Sequence, residues 1–338
     1  MHELKSSARG DIRPQHLPSD VGMHLLRAWL TVYVIAYLHL GGYVGSGSHH
    51  VTTWTPIVTS IAMAAFTLMS GYLAGRPEPL TAQAAWRFYG SKLLRIYPLY
   101  LLALAGFVLL WLSNPFTAAK AALGLSIFWP EAPMTLWYVA MLLVFYALTP
   151  VLAWTRWPIA LACALGLWGL YSAASLAGAD LDERAITQFP AYVTGVMMRR
   201  FGWRQTGRAG LALLTLGLAC GFAFAQAFPA QDQAWAALAQ LPVALSGALW
   251  LLAVCDVAAR RPVGMPLWLW LSQISFAAYL FHRVVFELLK RLHWPADSPL
   301  AQTGWLLFAG LPLVALVSHG LDKAQRLVAR VRLPLARA

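Results

Sequence analysis

The chain is poor in charge. Of its 338 residues only 11% are Asp, Glu, Lys or Arg, and 13 are acids, whereas 59% are hydrophobic and the mean hydropathy is strongly positive. Soluble domains carry about a quarter charged residues, so that class is excluded. Cysteine is scarce as well. Cys163, Cys220 and Cys255 fall inside apolar runs without metal-ligand spacing, which excludes a disulfide framework or a metal centre and reads as three small buried hydrophobes. Residues 1–20 hold no apolar core, so no cleaved signal peptide is expected. No long linker, low-complexity tract, second domain or transporter-like internal repeat stands out.

What the chain has in abundance is long apolar runs. Stretches of about 20 apolar residues cross the hydrocarbon core as helices. Ten occur, near 24–44, 54–75, 95–112, 135–153, 158–174, 186–200, 209–228, 234–255, 266–289 and 301–319, the sixth being the shortest. Residues 116–129, with Lys120 in their midst, read as an interfacial helix. The expectation is an all-α, polytopic transmembrane bundle of about ten spans. Residues 1–23 precede it as a cytoplasmic segment, 24–319 form the membrane domain, and 320–338 form a basic cytoplasmic tail.

A net charge of +12 suggests nucleic acid in a soluble protein, but its placement argues otherwise here. One set of loops carries Lys5, Arg9, Arg13, Arg76, Arg87, Lys92, Arg95, Arg156, Arg199, Arg200, Arg204, Arg208, Arg260, Arg261, Lys323, Arg326, Arg330, Arg332 and Arg337. The opposite loops carry Lys120, Arg184, Lys290 and Arg291, with Asp180, Asp182, Glu183 and Asp232. By the positive-inside rule both termini are cytoplasmic, and the remaining role of the basic excess is contact with anionic lipid headgroups. Abundant alanine and a preference for Arg over Lys suggest a GC-rich bacterial source, hence an inner membrane.

Ionisable side chains inside a span are costly and mark function by default. Arg27 sits at the mouth of the first run and His39 most of the way along it, roughly 18 Å higher at 1.5 Å per residue. His282, in the ninth run, lies at a similar height, so the two histidines can share a site. His39 reads either as a structural histidine bonded to a neighbouring helix or as a general base titrating near working pH. The same alternatives hold for His282, beside an Arg283 whose i,i+4 spacing from Glu287 favours an intrahelical ion pair. Lys92 and Arg95, three apart on one helix face and close to Arg87, are either ordinary juxtamembrane charge or a phosphate-binding cluster at the level of Arg27. Ser70-Gly71-Tyr72 offers a close helix contact, while Trp137, Tyr138, Tyr146 and Pro150 read as interfacial anchoring and packing.

In this order, these segments resemble the acyltransferase 3 family. The pieces are Leu26-Arg27 through His39-Leu40-Gly41-Gly42, Phe66 through Leu73, Lys92-Leu93-Leu94-Arg95-Ile96-Tyr97-Pro98-Leu99-Tyr100, Leu136-Trp137-Tyr138 through Tyr146 and Pro150, Phe189 through Gly195, and Ser275 through His282. The resemblance implies transfer of an acyl group, usually acetyl, from cytoplasmic acyl-coenzyme A to a hydroxyl of a glycan or other envelope acceptor, without a metal. It implies that His39 is the essential histidine, with His282 next in line, Arg27 its partnered arginine, and Lys92 and Arg95 the inner basic motif. Arg87 joins these as a donor-binding candidate, while Ser70, Tyr72, Trp137, Tyr146, Ser275 and Tyr279 are supporting candidates, Ser275 or Tyr279 toward the thioester oxygen. In two places the chain departs from the family. Eleven residues separate Arg27 from His39 where the family usually has ten, which in a regular helix turns His39 by about 100° unless a π-bulge absorbs the extra residue. His24 stands where the family often has an acid.

The expected partners are membrane lipids, the glycan acceptor and, because the outer loops are short, a periplasmic or polysaccharide-synthesis protein that helps select it; nucleic acid is not among them. Two rival readings use the same polar residues: a transporter or flippase for a lipid-linked glycan, and a non-catalytic accessory subunit of a polysaccharide-synthesis complex.

Overall fold

The computed structural model describes residues 18–44, 52, 54–76, 78–203, 207–228, 232–260, 263–295 and 298–335, with no strand among them. Lys5, Arg9, Arg13, Arg204, Arg261 and Arg337 lie outside the described residues. The first helix, α1 (Pro18–Val32), continues through a π-helical segment, Tyr33–His39. There follow α2 (Thr55–Ala74), α3 (Ala82–Leu109), α4 (Pro115–Ala122), α5 (Trp137–Trp154), α6 (Trp157–Leu176) and α7 (Arg184–Phe201). The remainder are α8 (Arg208–Ala227), α9 (Gln233–Ala258), α10 (Met265–Leu292), α11 (Pro299–Trp305) and α12 (Leu311–Leu335), the last two joined by a second π segment, Leu306–Gly310.

Eight helical segments among the described residues are long and apolar enough to cross a membrane: Val21–His39, α2, α3, α5, α6, α8, α9 and Pro299–Leu327. The chain is an all-helical integral membrane protein. Two of the ten apolar runs, those in α7 and α10, fall outside the eight, and the reason is polarity. Helix α7 carries Thr187, Gln188, Thr194, Arg199 and Arg200, and α10 carries Ser272, Ser275, His282, Arg283 and Glu287. Both are enclosed by other helices, α7 by α2, α5, α6 and α9, and α10 by α1, α3 and α12. Polar side chains are tolerated there because they meet helices and not hydrocarbon. By contrast α8 turns Leu213 and Leu216 outward, and α6 turns out Leu165 and Leu170.

Several boundaries differ from the apolar runs. The third run begins at 95, but its helix begins at Ala82, capped by the Thr81 hydroxyl accepting from the Ala84 amide. Amphipathic residues 82–94 therefore lie on the same rod as the apolar ones. The tail expected from residue 320 continues α12 to Leu335. Around Lys120 the chain forms α4, capped by Asn114, and a 3-10 turn, Leu125–Ile127. Lys120 is buried, donates to the Pro130 carbonyl at 2.9 Å and lies over the rings of Phe116 and Trp129. Of the cysteines, all free thiols, Cys255 is buried but Cys220 is exposed, because α8 packs mainly on α9 alone.

Helix α2 is central, packed most extensively on α7 and also on α9. A side chain on Gly71 would lie 2.1 Å from the Tyr192 carbonyl oxygen, and one on Gly195 would lie 2.0 Å from that of Leu68. The two backbones therefore touch in both directions, the small-residue contact foreseen at Ser70-Gly71-Tyr72. Interhelical hydrogen bonds flank it, Thr67 Oγ1 to Gln188 Oε1 at 2.8 Å and Thr149 with the Tyr192 hydroxyl at 2.6 Å. Helix α1 lies parallel to α10, since His24 meets Ser272 near one end and His39 meets His282 toward the other.

Candidate active site

His39 stands twelve positions after Arg27, which in a regular helix is about 120° away from it around the axis. The π segment removes that offset. Its bonds run from residue i to i+5, as from the Leu40 amide back to the Ile35 carbonyl, so one residue is accommodated without adding its share of rotation. About 20° remains, so Arg27 and His39 lie on nearly the same face of the helix.

The His39 ring lies parallel to that of His282, with centroids 4.8 Å apart and planes inclined by 3°. His282 is fully buried, and its Nδ1 lies 2.8 Å from the Tyr279 carbonyl and 3.2 Å from that of Ala278. A carbonyl only accepts, so Nδ1 carries the proton and Nε2 holds the lone pair of the neutral ring. That Nε2, like the buried Nδ1 of His39, has no hydrogen-bond partner among the described residues. Buried polar atoms are nearly always bonded, so two orphaned ring nitrogens in one stack could accept from or donate to a ligand's polar group.

One helical turn before His282, Tyr279 packs its ring against His282 at 6.2 Å and against Tyr138 at 5.8 Å. From there a narrow cavity of about 130 Å³ leads toward the end of the bundle where α1 begins. Arg27, Lys92 and Arg95 line it at that end; Ser70, Tyr146 and Ser275 line its flanks. Lys92 lies over the Tyr146 ring at 4.8 Å and the Phe88 ring at 5.4 Å, which aims its ammonium and holds its stem. Pockets for whole ligands run to about 300–1,000 Å³, so this slot suits a thin chain with its bulky head outside.

Other candidates stand apart. Arg87 is exposed on α3, outside the cavity wall. Tyr72 is buried against Arg199, which donates to its hydroxyl at 3.3 Å. Trp137 faces a different cavity, under the Arg184 guanidinium at 4.0 Å. The expected Arg283–Glu287 pair is replaced: Glu287 pairs with Arg291, also four residues away, at 3.0 Å, and Arg283 turns instead to the Tyr43 ring and the Met134 sulfur. The Ser275 hydroxyl donates to the Ser272 carbonyl at 2.7 Å and that of Tyr279 to the Thr135 carbonyl, so either must leave a backbone partner to serve a thioester.

Two residues escaped the sequence reading. Thr135 has φ +64°, rare for a β-branched residue, and carries the carbonyl that holds Tyr279. Nothing in the loop composition announces it. Gln188 is a buried amide in the second turn of α7, α2's main partner helix, and an amide near the start of the sixth run was a readable signal.

A family model described as an acyltransferase domain matches residues 20–319, spanning α1 to the middle of α12. No curated protein and no solved structure matches the chain.

Proposed function

Because the chain belongs to the acyltransferase 3 family, we propose that it is a membrane O-acyltransferase moving an acyl group, acetyl in the first instance, from cytoplasmic acyl-coenzyme A to a hydroxyl of an envelope or extracellular glycan. In this reading α7 and α10 also cross the membrane, giving ten spans with both termini cytoplasmic, in a bacterial inner membrane. The basic side chains gathered on the loops at the Arg27 end support that orientation.

One observation carries the proposal: a single narrow cavity runs from Arg27, Lys92 and Arg95 to Tyr279, one turn short of the stacked histidines. The three cations hold the donor's phosphates at the mouth, where charge-assisted bonds are strongest. The pantetheine arm enters the slot and brings the thioester toward His39. His39 takes the proton from the acceptor hydroxyl, whose oxygen attacks the carbonyl carbon. A C–O bond forms, the C–S bond breaks, and the departing thiolate is protonated to give free coenzyme A. His282, its tautomer fixed by two backbone carbonyls, lies parallel to His39 and positions it. The acyl group thus reaches the far side while the donor's nucleotide stays at the near one.

The test is turnover of acetyl-coenzyme A by purified protein in nanodiscs. His39→Ala is expected to lose on the order of 100-fold or more in rate while still binding the donor; full activity would remove His39 as the base. A transporter would show no binding of acetyl-coenzyme A at the Arg27 end.

A further inference from the structure

A second cavity, of about 640 Å³, opens beside the turn between α6 and α7, bounded by α2, α7 and α9. It is of ordinary ligand-site size. Two connections tie it to the histidine pair. Tyr33 of the π segment is hydrogen-bonded at 3.0 Å to Thr59, which lines this cavity. The loop that supplies Pro130 to its wall and leads into Trp137 at the start of α5 also supplies the Thr135 carbonyl to Tyr279 and the Met134 sulfur to Arg283. Thr59 thus both lines the wall and holds the π segment, and the loop that reaches the wall at Pro130 also holds α10.

Its chemistry is that of a hydroxyl-rich ligand. Gln188, only 3% exposed, lines it and accepts at Oε1 from Thr67. No hydrogen bond occupies the amide nitrogen among the described residues, and because Gln188 lines the cavity that donor is open to a ligand. Among the described residues Arg184 is the only cation in the lining, and it is already engaged: it gives Asp182 two bonds, at 2.6 and 2.7 Å, and covers the Trp137 ring. Asp180 and Glu183 remain without a cationic partner among the described residues, so the cavity carries net negative charge. Carboxylates accept hydroxyl hydrogens well, but they repel a ligand of their own sign.

We propose that this cavity receives the acyl acceptor, and that the accepting unit is a sugar or polyol hydroxyl on a residue bearing no net negative charge. The proposal rests on the acyl-transfer reading and narrows it, because uronic acids and phosphorylated sugars are turned away at the wall.

The experiment labels cells with radioactive acetate and follows acyl groups into the envelope. Ala237→Trp, at the cavity wall, is expected to lower incorporation on the order of 100-fold by blocking the acceptor, while the purified variant binds acetyl-coenzyme A as the unsubstituted protein does. Gln188→Leu serves as a second variant of nearly unchanged volume, with the same expectation. Undiminished incorporation in both would overturn the site. Independently, envelope glycan from the unsubstituted strain is depolymerised and the acylated sugar unit passed over an anion exchanger. Flow-through is the expected result, and retention would overturn the charge assignment whatever the variants do. Failure of the unsubstituted protein to bind acetyl-coenzyme A would remove the transfer reading itself, which is a separate outcome.

Discussion

Deleting Ala36 from the π segment is expected to leave acyl transfer within about tenfold of the unsubstituted rate, whereas inserting a second alanine there is expected to abolish it. The bond from the Leu40 amide to the Ile35 carbonyl now spans five positions. With Ala36 gone, Ile35 stands four positions before Leu40, and the same bond closes a regular α turn. His39 keeps its place against His282, and Arg27 to His39 takes the family's usual spacing. An insertion has no such solution. It turns everything beyond it by about 100°, and for a ring about 5 Å from the axis that is a displacement of roughly 8 Å. The stack, at 4.8 Å, cannot survive it. Losing a positioned base costs typically 10²- to 10⁴-fold. The assay is single-turnover deacylation of acetyl-coenzyme A in nanodiscs, with donor binding measured separately to show that the Arg27 end is intact. Equal loss in both variants, or a harmless insertion, would refute the account of the π segment as register correction.

Further outcomes are expected at the same site and in the scaffold. Lys92→Met and Arg95→Gln should each raise KM for acyl-coenzyme A by about tenfold or more with smaller effects on kcat, as befits lost charge-assisted bonds; Arg87→Gln should stay within about twofold, and a large effect there would move the donor's phosphates elsewhere. His282→Gln should lower kcat by about 10²-fold and leave donor binding unchanged, so weaker binding with normal kcat would assign His282 to the donor. Gly195→Ala, whose added carbon meets the Leu68 carbonyl at 2.0 Å, should destabilise the protein by about 1–3 kcal/mol. Thermal unfolding in detergent checks this, and an unchanged midpoint would mean that the α2–α7 seam yields freely.

Much of the arrangement was legible because depth can be counted along a helix. His39 and His282 fall at one height in two helices that rise together, and Lys92 and Arg95 share a face at the level of Arg27. What counting does not reveal is azimuth: the parallel stacking of the rings, the turning away of Arg87, and the choice of Arg291 over Arg283 as the partner of Glu287 depend on neighbours hundreds of positions away in sequence. Hydropathy located α7 and α10 but does not by itself mark them as strong spans, since their polar side chains are offset by enclosure and not by composition. The larger cavity was invisible for a different reason. Its lining comes from a loop, a turn and four helices, with no motif common to them.

The reciprocal glycine contact between α2 and α7 also sets the mechanics of the bundle. Two backbones that touch at Gly71 and Gly195 have no side-chain cushion to slide on, so the pair is expected to move as one rigid body. The slot behind Arg27 has α1, α2, α3, α5 and α10 for walls. Of these, α3 is the helix whose spanning segment is least buried. If a donor arm enters this slot, the widening is expected to come from a swing of α3, which packs on α4, α5 and α10, while α2 and α7 stay fixed. Spin labels on α3 and α7 would register that swing as a change in distance when acetyl-coenzyme A binds, and labels on α2 and α7 would register none.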